Sequence, residues 1–358
     1  MQNTPFFQIH IVHNAKMTPF SGYNMPLHYG SQIEEHEAVR RVAGMFDVSH
    51  MMITDVEGLD ARAFLRKLLA NDVAKLEKVG NGKAHYSLIL NDNGGIIDDV
   101  IVYLMPFGYR IVSNAGTRSK VKTYLAHTSQ EFQVTLKERS DFAMLAIQGP
   151  QAIEKVLQVK PSWREQISQL KRFQGCEVEG FFIARTGYTG EEGLEIMIPL
   201  KEVEDLWKDL FDVGVAPCGL AARDTLRLEA GMNLYGQDMD ETTNPLEAGF
   251  SWCIDLEDLK RNFIGQSAIL SMRERLNKKQ VGLLLLGAGV MRAHQAFRNS
   301  EGAVGLVTSG TFSPSLKQSI AMASVPIGTG ELGEVEIRGT WQPVKVVALP
   351  FIKKTATP

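Results

Sequence analysis

HYSLILNDNGGIIDDVIVYLM, residues 85–105, decides the reading of this chain. Two apolar, β-branched runs flank Asn91-Asp92-Asn93-Gly94-Gly95, a strong hairpin signal. The second run should be uniformly apolar, yet two adjacent carboxylates, Asp98 and Asp99, interrupt it. Successive strand residues point to opposite faces, so alternation predicts that this pair does not act together as acid and base. It predicts one facing water and the other held among Ile97, Ile101 and Tyr103, where a carboxylate is costly unless hydrogen-bonded. A partnered structural aspartate is the plainer reading, and periodicity does not choose between the two. An NDNG loop sets Tyr86 opposite Asp99; an NDNGG loop sets it opposite Val100, because one residue of slip exchanges the faces.

The 358 residues exceed one ordinary domain, and 44% hydrophobic with 22% charged residues reads as a soluble, core-forming chain. A net charge of −3 with dispersed Lys and Arg excludes a polyanion-binding footprint, so nucleic acid is not the expected partner. Cys176, Cys218 and Cys253 are odd in number and far apart, which fits a reducing compartment and neither a disulfide framework nor zinc. The longest apolar run, VGLLLLGAGVM (281–291), is too short to span a bilayer, and no signal-peptide order opens the chain. The expectation is a cytoplasmic protein with no membrane partner.

Outward from the hairpin, Ser31-Gln-Ile-Glu34 forms a capping box for a helix to about Arg41, with Gly44 placed to end it. FDVSHM (46–51) reads as a short strand, and the spacing predicts helices over 59–70 and 117–129. Residues 142–158 read as strand, tight turn and helix; 181–200 as a second hairpin; 202–214 and 218–231 as helices. Hairpins alternating with helices indicate α+β units rather than a doubly wound parallel sheet. The charged stretch SMRERLNKKQ (271–280) looks like a boundary, and the short strands after it suggest a small β-barrel or sandwich.

Few residues carry chemistry. Gly328-Thr-Gly-Glu-Leu-Gly333 matches GxGxxG but precedes a strand in an all-β tail, so it reads as a turn. In LEIMIPL, Leu194, Ile196 and Ile198 share a face, leaving Glu195 and Met197 on the other. Glu195 there is suited to accept paired N–H bonds from a guanidine-like edge, whereas Glu191 and Glu192 in the turn read as solvated. Arg223 and Arg227, four apart on one helix, repel unless an anion or carboxylate sits nearby; structural pairing is the reading for Arg223, with Arg227 open. His36 and His50 look the most placed of the histidines, but no HxH or HxxxH spacing supports a metal site. No P-loop, GxSxG elbow or reactive-cysteine signature is present.

Taken in order, FSGYNMPLHYGS (20–31), FDVSHM (46–51), GGIIDDVIVY (94–103), VSNAG (112–116), LAIQGP (145–150), RTGYTGEEGLEI (185–196), GLAARDTLRLEAGMNLYGQDM (219–239), NPLEAGFSW (244–252) and TSGTFSPSL (308–316) resemble the aminomethyltransferases of the glycine cleavage system, the T-protein family. The resemblance runs from about residue 10 to residue 350. It implies an α+β protein of three domains in a clover-leaf: two interleaved α+β subdomains over 1–272 and a C-terminal β-barrel over 280–358. It also implies a reaction in which a lipoyl carrier, the H-protein, presents an aminomethyl group. Ammonia is released and the one-carbon unit passes to tetrahydrofolate, giving 5,10-methylenetetrahydrofolate.

By motif, the resemblance makes Asp99 the catalytic carboxylate, moving a proton at the N5/N10 edge of folate and stabilising positive charge as ammonia leaves. It favours the NDNG register. Glu195 would grip the aminopyrimidine end, with Tyr188 and Arg227 on the pterin side. Tyr86, Tyr103, Met51 and Asn114 would form the cavity wall, and no metal is implied. Met52 departs from the family, which usually has glycine after FDVSHM; residues 291–299 match loosely, and Lys353 or Lys354 stands where a basic residue would meet the glutamate tail. Two rivals remain: a folate-dependent demethylase of a small methylated compound, and a non-enzymatic folate-binding iron–sulfur assembly factor. The latter carries a cysteine-containing stretch where this chain has Arg185-Thr-Gly-Tyr-Thr-Gly-Glu-Glu.

Overall fold

A computed structural model describes residues 1–258 and 260–353; Lys354 lies outside them. Two mixed α/β layers arise because the chain leaves one sheet and later returns to it. The Gly44–Asp47 strand opens a six-stranded sheet, in which it lies between Phe142–Gln148 and Ala216–Pro217. Between Asp47 and Phe142 the chain builds a separate five-stranded sheet ordered Ala84–Leu90, Ile96–Met105, Gly108–Ser113, Met52–Glu57, Thr135–Glu138. Gly44 contributes by its lack of a side chain rather than as a helix stop. A Cβ there would lie 2.5 Å from Val39 Cγ2 and 2.6 Å from Cys218 Sγ. The preceding helix, Gln32–Arg41, begins at Ser31, whose hydroxyl accepts from Glu34 N at 3.3 Å.

Amphipathic helices cover the outer faces. Val203, Leu206, Trp207 and Leu210 of the Val203–Asp212 helix recur at 3, 4 and 7 residues and bury against Leu194, Ile196 and Ile198 of the six-stranded sheet. The Ala61–Leu68 helix sets Phe64, Leu65 and Leu68 against Val100, Val102 and Ile111 of the other sheet. A third core of Phe46, Ile53, Tyr103, Met144, Phe182 and Met197 joins the inner faces of the two sheets. Inside it, buried Arg110 forms a two-bond pair with Asp55, 2.6 and 2.8 Å, and lies 5.1 Å from the Phe182 ring. Residues Lys278–Val347 close a six-stranded barrel in the order Lys278–Leu285, Gln318–Pro326, Val304–Ser313, Ala296–Asn299, Leu332–Ile337, Thr340–Val347. The GxGxxG stretch forms the turn after the Gln318–Pro326 strand and runs into the start of the Leu332–Ile337 strand. Met52, where the resemblance expects glycine, is buried at the start of its strand.

The central hairpin takes neither expected register. Leu88 pairs with Asp99, Ser87 with Val100 and Tyr86 with Ile101, after an irregularity between Ile89 and Leu90. Leu90 pairs with Ile96 and Ile89 with Asp98, which leaves Ile97 as an extra residue. A bulge of this kind shifts all later partners by one, a displacement that loop length does not reveal. Asn91 organises the loop, its side-chain oxygen accepting from Asn93 N at 3.0 Å and Gly95 N at 2.9 Å. Asp99 still shares a face with Tyr86, as a diagonal neighbour rather than a direct one.

Candidate active site

The two sheets, the loop after Glu229 and the first barrel strand enclose a cavity of about 250 Å³. Asp99, Glu195, Tyr86, Tyr103, Tyr188, Asn114 and Met51 all line it, brought from five separate stretches of chain. Arg227 does not.

Neither hairpin carboxylate faces bulk water, contrary to the alternation argument. Asp98 is fully buried, and Asp99 is half-buried in the cavity wall. Asn114 follows the Gly108–Ser113 strand, whose Ser113 pairs with Val100, so its amide arrives at the carboxylate pair. Its Nδ2 donates to Asp98 Oδ1 and to Asp99 Oδ1, each at 2.8 Å, while its backbone N–H donates to Asp98 Oδ2 at 3.1 Å. One amide thus ties together two carboxylates expected to be independent. Burial raises the pKa of Asp99, and hydrogen bonds from Tyr86 and Asn114 oppose that rise. Asp98 is pushed up to about 7 by burial and by the charge of Asp99.

Glu195 sits in the Gly193–Pro199 strand with Ala146 and Ala184 as its two cross-strand partners. These short side chains leave space beside a buried carboxylate. Thr186 donates to Glu195 Oε2 at 2.5 Å, and Tyr103 OH lies 3.4 Å from the same threonine oxygen. Among the described residues nothing donates to Glu195 Oε1, and the group forms no ion pair. Burial raises its pKa, with Thr186 and Arg223 acting against that.

The two arginines exchange their expected roles. Arg223 lines the cavity, and its guanidinium lies 4.4 Å from the centre of the Tyr188 ring. Arg227, one turn later and 1% exposed, donates to Asp238 Oδ2 at 2.7 Å, Ser309 Oγ at 3.0 Å and Met232 O at 3.1 Å. Its donors are spent on joining the helix to the barrel. Tyr188 donates its hydroxyl to Asn233 O, which fixes the ring against the cavity. At the rim, Tyr86 stacks on Phe250 (6.1 Å) and on Trp252 (5.3 Å), and Trp252 is 67% exposed. Gln280 of the barrel reaches in and donates to Asn233 Oδ1 at 2.6 Å.

Arg223, Phe250, Trp252 and Gln280 are cavity residues that the sequence argument did not select. Phe250 and Trp252 fall within NPLEAGFSW, so an aromatic pair after a glycine-containing turn was an available signal. The turn glutamates are also more engaged than expected: Glu191 pairs with Arg40 at 2.8 Å and Glu192 with Arg185 at 2.8 Å. His36 is a structural hub, 2.8 Å from Thr225 Oγ1 and 2.9 Å from Ser315 Oγ. His50 is buried, and burial together with Arg223 depresses its pKa to about 4. Among the described residues no group of three His, Cys, Asp or Glu is arranged to hold a metal, and no helix is long and apolar enough to cross a membrane.

Residues 6–258 match the GCVT N-terminal domain, and residues 278–353 match the glycine cleavage T-protein C-terminal barrel domain. The aminomethyltransferase of Neisseria meningitidis is 54% identical over 99% of this chain and 97% of its own length. That of Pseudomonas syringae pv. tomato is 52% identical over 99% of both. The crystal structure of the glycine cleavage system aminomethyltransferase T from Bartonella henselae superposes with a TM-score of 0.91, at 35% identity and 98% coverage of each chain.

Proposed function

The chain belongs to the glycine cleavage T-protein family of aminomethyltransferases, and we propose that its cavity takes tetrahydrofolate with Asp99 as the proton-moving group. Its reaction is aminomethyl transfer in the glycine cleavage system, and the demethylase and assembly-factor alternatives are not favoured. The donor in this reading is the aminomethyl group on a lipoyl carrier, the H-protein, and the products are ammonia and 5,10-methylenetetrahydrofolate. The proposed setting is the cytoplasm, in keeping with three free thiols. We take residues 1–272 as the folate-binding region and start the barrel domain with its first strand at Lys278 rather than at 280; of the expected 280–358, residues 354–358 lie outside the described residues.

One observation carries the reading: the cavity exposes two desolvated carboxylates, Asp99 and Glu195, and neither is neutralised by an ion pair. Glu195 is suited to a flat, N–H-bearing edge, because Oε1 is open and two alanines flank it. Paired charge-assisted bonds there are worth roughly 1.5–3 kcal/mol each. Arg223 and Tyr188 wall the same end, while Tyr86, Phe250 and Trp252 provide aromatic faces towards the rim.

Tetrahydrofolate supplies, when bound, the nucleophilic nitrogens that take up the one-carbon unit. Asp99 accepts a proton more readily than an ordinary carboxylate, since burial raises its pKa. Tyr86 and Asn114 hold its orientation by hydrogen bonds. The stacked rings limit water at the carboxylate, which strengthens its electrostatic effect on neighbouring charge.

Equilibrium titration of the purified protein with tetrahydrofolate tests the binding half of this reading. Saturable binding that is weakened in Glu195→Gln supports it; absence of saturable binding by the wild type refutes it.

A further inference from the structure

The role of Asp98 remains once Asp99 has been assigned. Asp98 is fully buried and does not line the cavity, and no cation pairs with it among the described residues. Its donors are the backbone N–H and the Nδ2 of Asn114. That Nδ2 also serves Asp99 Oδ1, so a single amide hydrogen-bonding group braces both carboxyls. Two negative charges this close in a desolvated site repel strongly, as in other carboxyl pairs that share a proton.

We propose that Asp98 is a positioning residue for Asp99: the two carboxyls hold one proton between them, kept on Asp98 and braced through Asn114, so that Asp99 meets substrate as the anion. The proposal rests on the assignment of Asp99 as the proton-moving group.

The surroundings of the pair decide which member holds the proton. Asp99 is the better anion. It accepts from Tyr86 as well as Asn114 and feels the positive charge of Arg223. Asp98 lies on the other face, beneath the apolar side chains of the helix-covered core. Thr117, whose hydroxyl donates to Asn114 O at 3.1 Å, acts with Asn114 against the rise in the Asp98 pKa, and burial together with the charge of Asp99 outweighs them. The other titratable groups facing the pair are Tyr188, Tyr235 and Cys253. Burial raises all three above their ordinary values, so they stay neutral through the neutral range.

The test is a 13C NMR titration of protein labelled at aspartate carboxyls, from about pH 5 to about pH 9, without substrate. One carboxyl titrating near pH 7 is expected in the wild type. It should vanish in Asp98→Asn and persist in Asp99→Asn with a lower midpoint, since the like charge is gone. Loss in Asp99→Asn but not in Asp98→Asn would put the proton on Asp99 and overturn the assignment. So would the absence of any carboxyl titrating above about pH 5.5. If Asp98→Asn does not fold, the wild type and Asp99→Asn still decide, by the presence of the resonance and its shift.

A second readout is the pH profile of ammonia release. The wild type should bend across neutrality and Asp98→Asn should not; a bend of the same midpoint in both would contradict the proposal. The substrate-free titration is independent of the folate reading, so failure of one is distinguishable from failure of the other.

Discussion

Arg223 and Arg227 lie one turn apart on the Leu220–Glu229 helix, yet the first covers the Tyr188 ring in the cavity wall and the second donates to Asp238 at 2.7 Å behind it. Position on the helix does not separate them; their partners do. Arg223 has space and an aromatic face in front of it. Arg227 meets the barrel through Ser309 and a loop carboxylate through Asp238.

Substitution should therefore split binding from stability. Arg223→Met is expected to weaken tetrahydrofolate binding with little change in Tm. Arg227→Met strands buried Asp238 and should cost about 3–5 kcal/mol of stability. Thermal denaturation and ligand titration of both variants check this. A large Tm loss in Arg223→Met with unchanged affinity would reverse the roles.

Asp99→Asn should lower turnover by about 10²–10⁴ while tetrahydrofolate still binds, because it removes a proton acceptor and keeps the shape. Asp98→Asn should lose less. Steady-state rates with affinities measured in parallel provide the check. Equal losses in both variants would contradict the division of labour between the two faces.

Glu195→Ala is expected to raise the dissociation constant for tetrahydrofolate by about 10²–10⁴-fold, the equivalent of the two charge-assisted hydrogen bonds it removes. Turnover at saturation should fall less. An unchanged dissociation constant would remove Glu195 from the binding role.

Stability should respond to pH with opposite signs at two buried carboxyls. The pKa of Asp98 is raised to about 7, so its contribution is full below the unfolded value and is lost as pH rises through the folded one. Asp98→Asn should thus gain Tm relative to the wild type between about pH 5 and about pH 8. Glu229, fully buried with Arg40 at 2.7 Å and His36 at 3.3 Å, is pulled down to about 2 by His36, Ser313 and Arg40 against its own burial. Its contribution is present above the unfolded value and is lost as pH falls towards 2. Glu229→Gln should cost about 3 kcal/mol at neutral pH and progressively less in acid. Denaturation series across pH test both signs.

Some of this site was legible in the sequence, and physical reasons account for the remainder. Glu195 stood out because alternation with Leu194, Ile196 and Ile198 isolates it on one face, and those three do bury in the helix-covered core. The hairpin and its odd carboxylates were equally plain. Its register was not, because a bulge at Ile97 adds a residue that neither loop length nor alternation encodes. Asn114 joins Asp98 to Asp99 only because a third strand runs alongside, a non-local fact. Likewise, the partners of Arg227 come from residues up to 82 positions away, so a helical pattern could not distinguish it from Arg223. Gln280 lay in what looked like a charged linker, yet it belongs to the barrel strand that closes the cavity.

The most direct measurement combines purified protein, tetrahydrofolate and a lipoyl carrier protein loaded with the aminomethyl group. Ammonia and 5,10-methylenetetrahydrofolate are followed together. The account predicts that both appear in equal amounts, only with the protein present, and that Asp99→Asn suppresses both. Tetrahydrofolate binding without either product, or products formed equally well by Asp99→Asn, would contradict it.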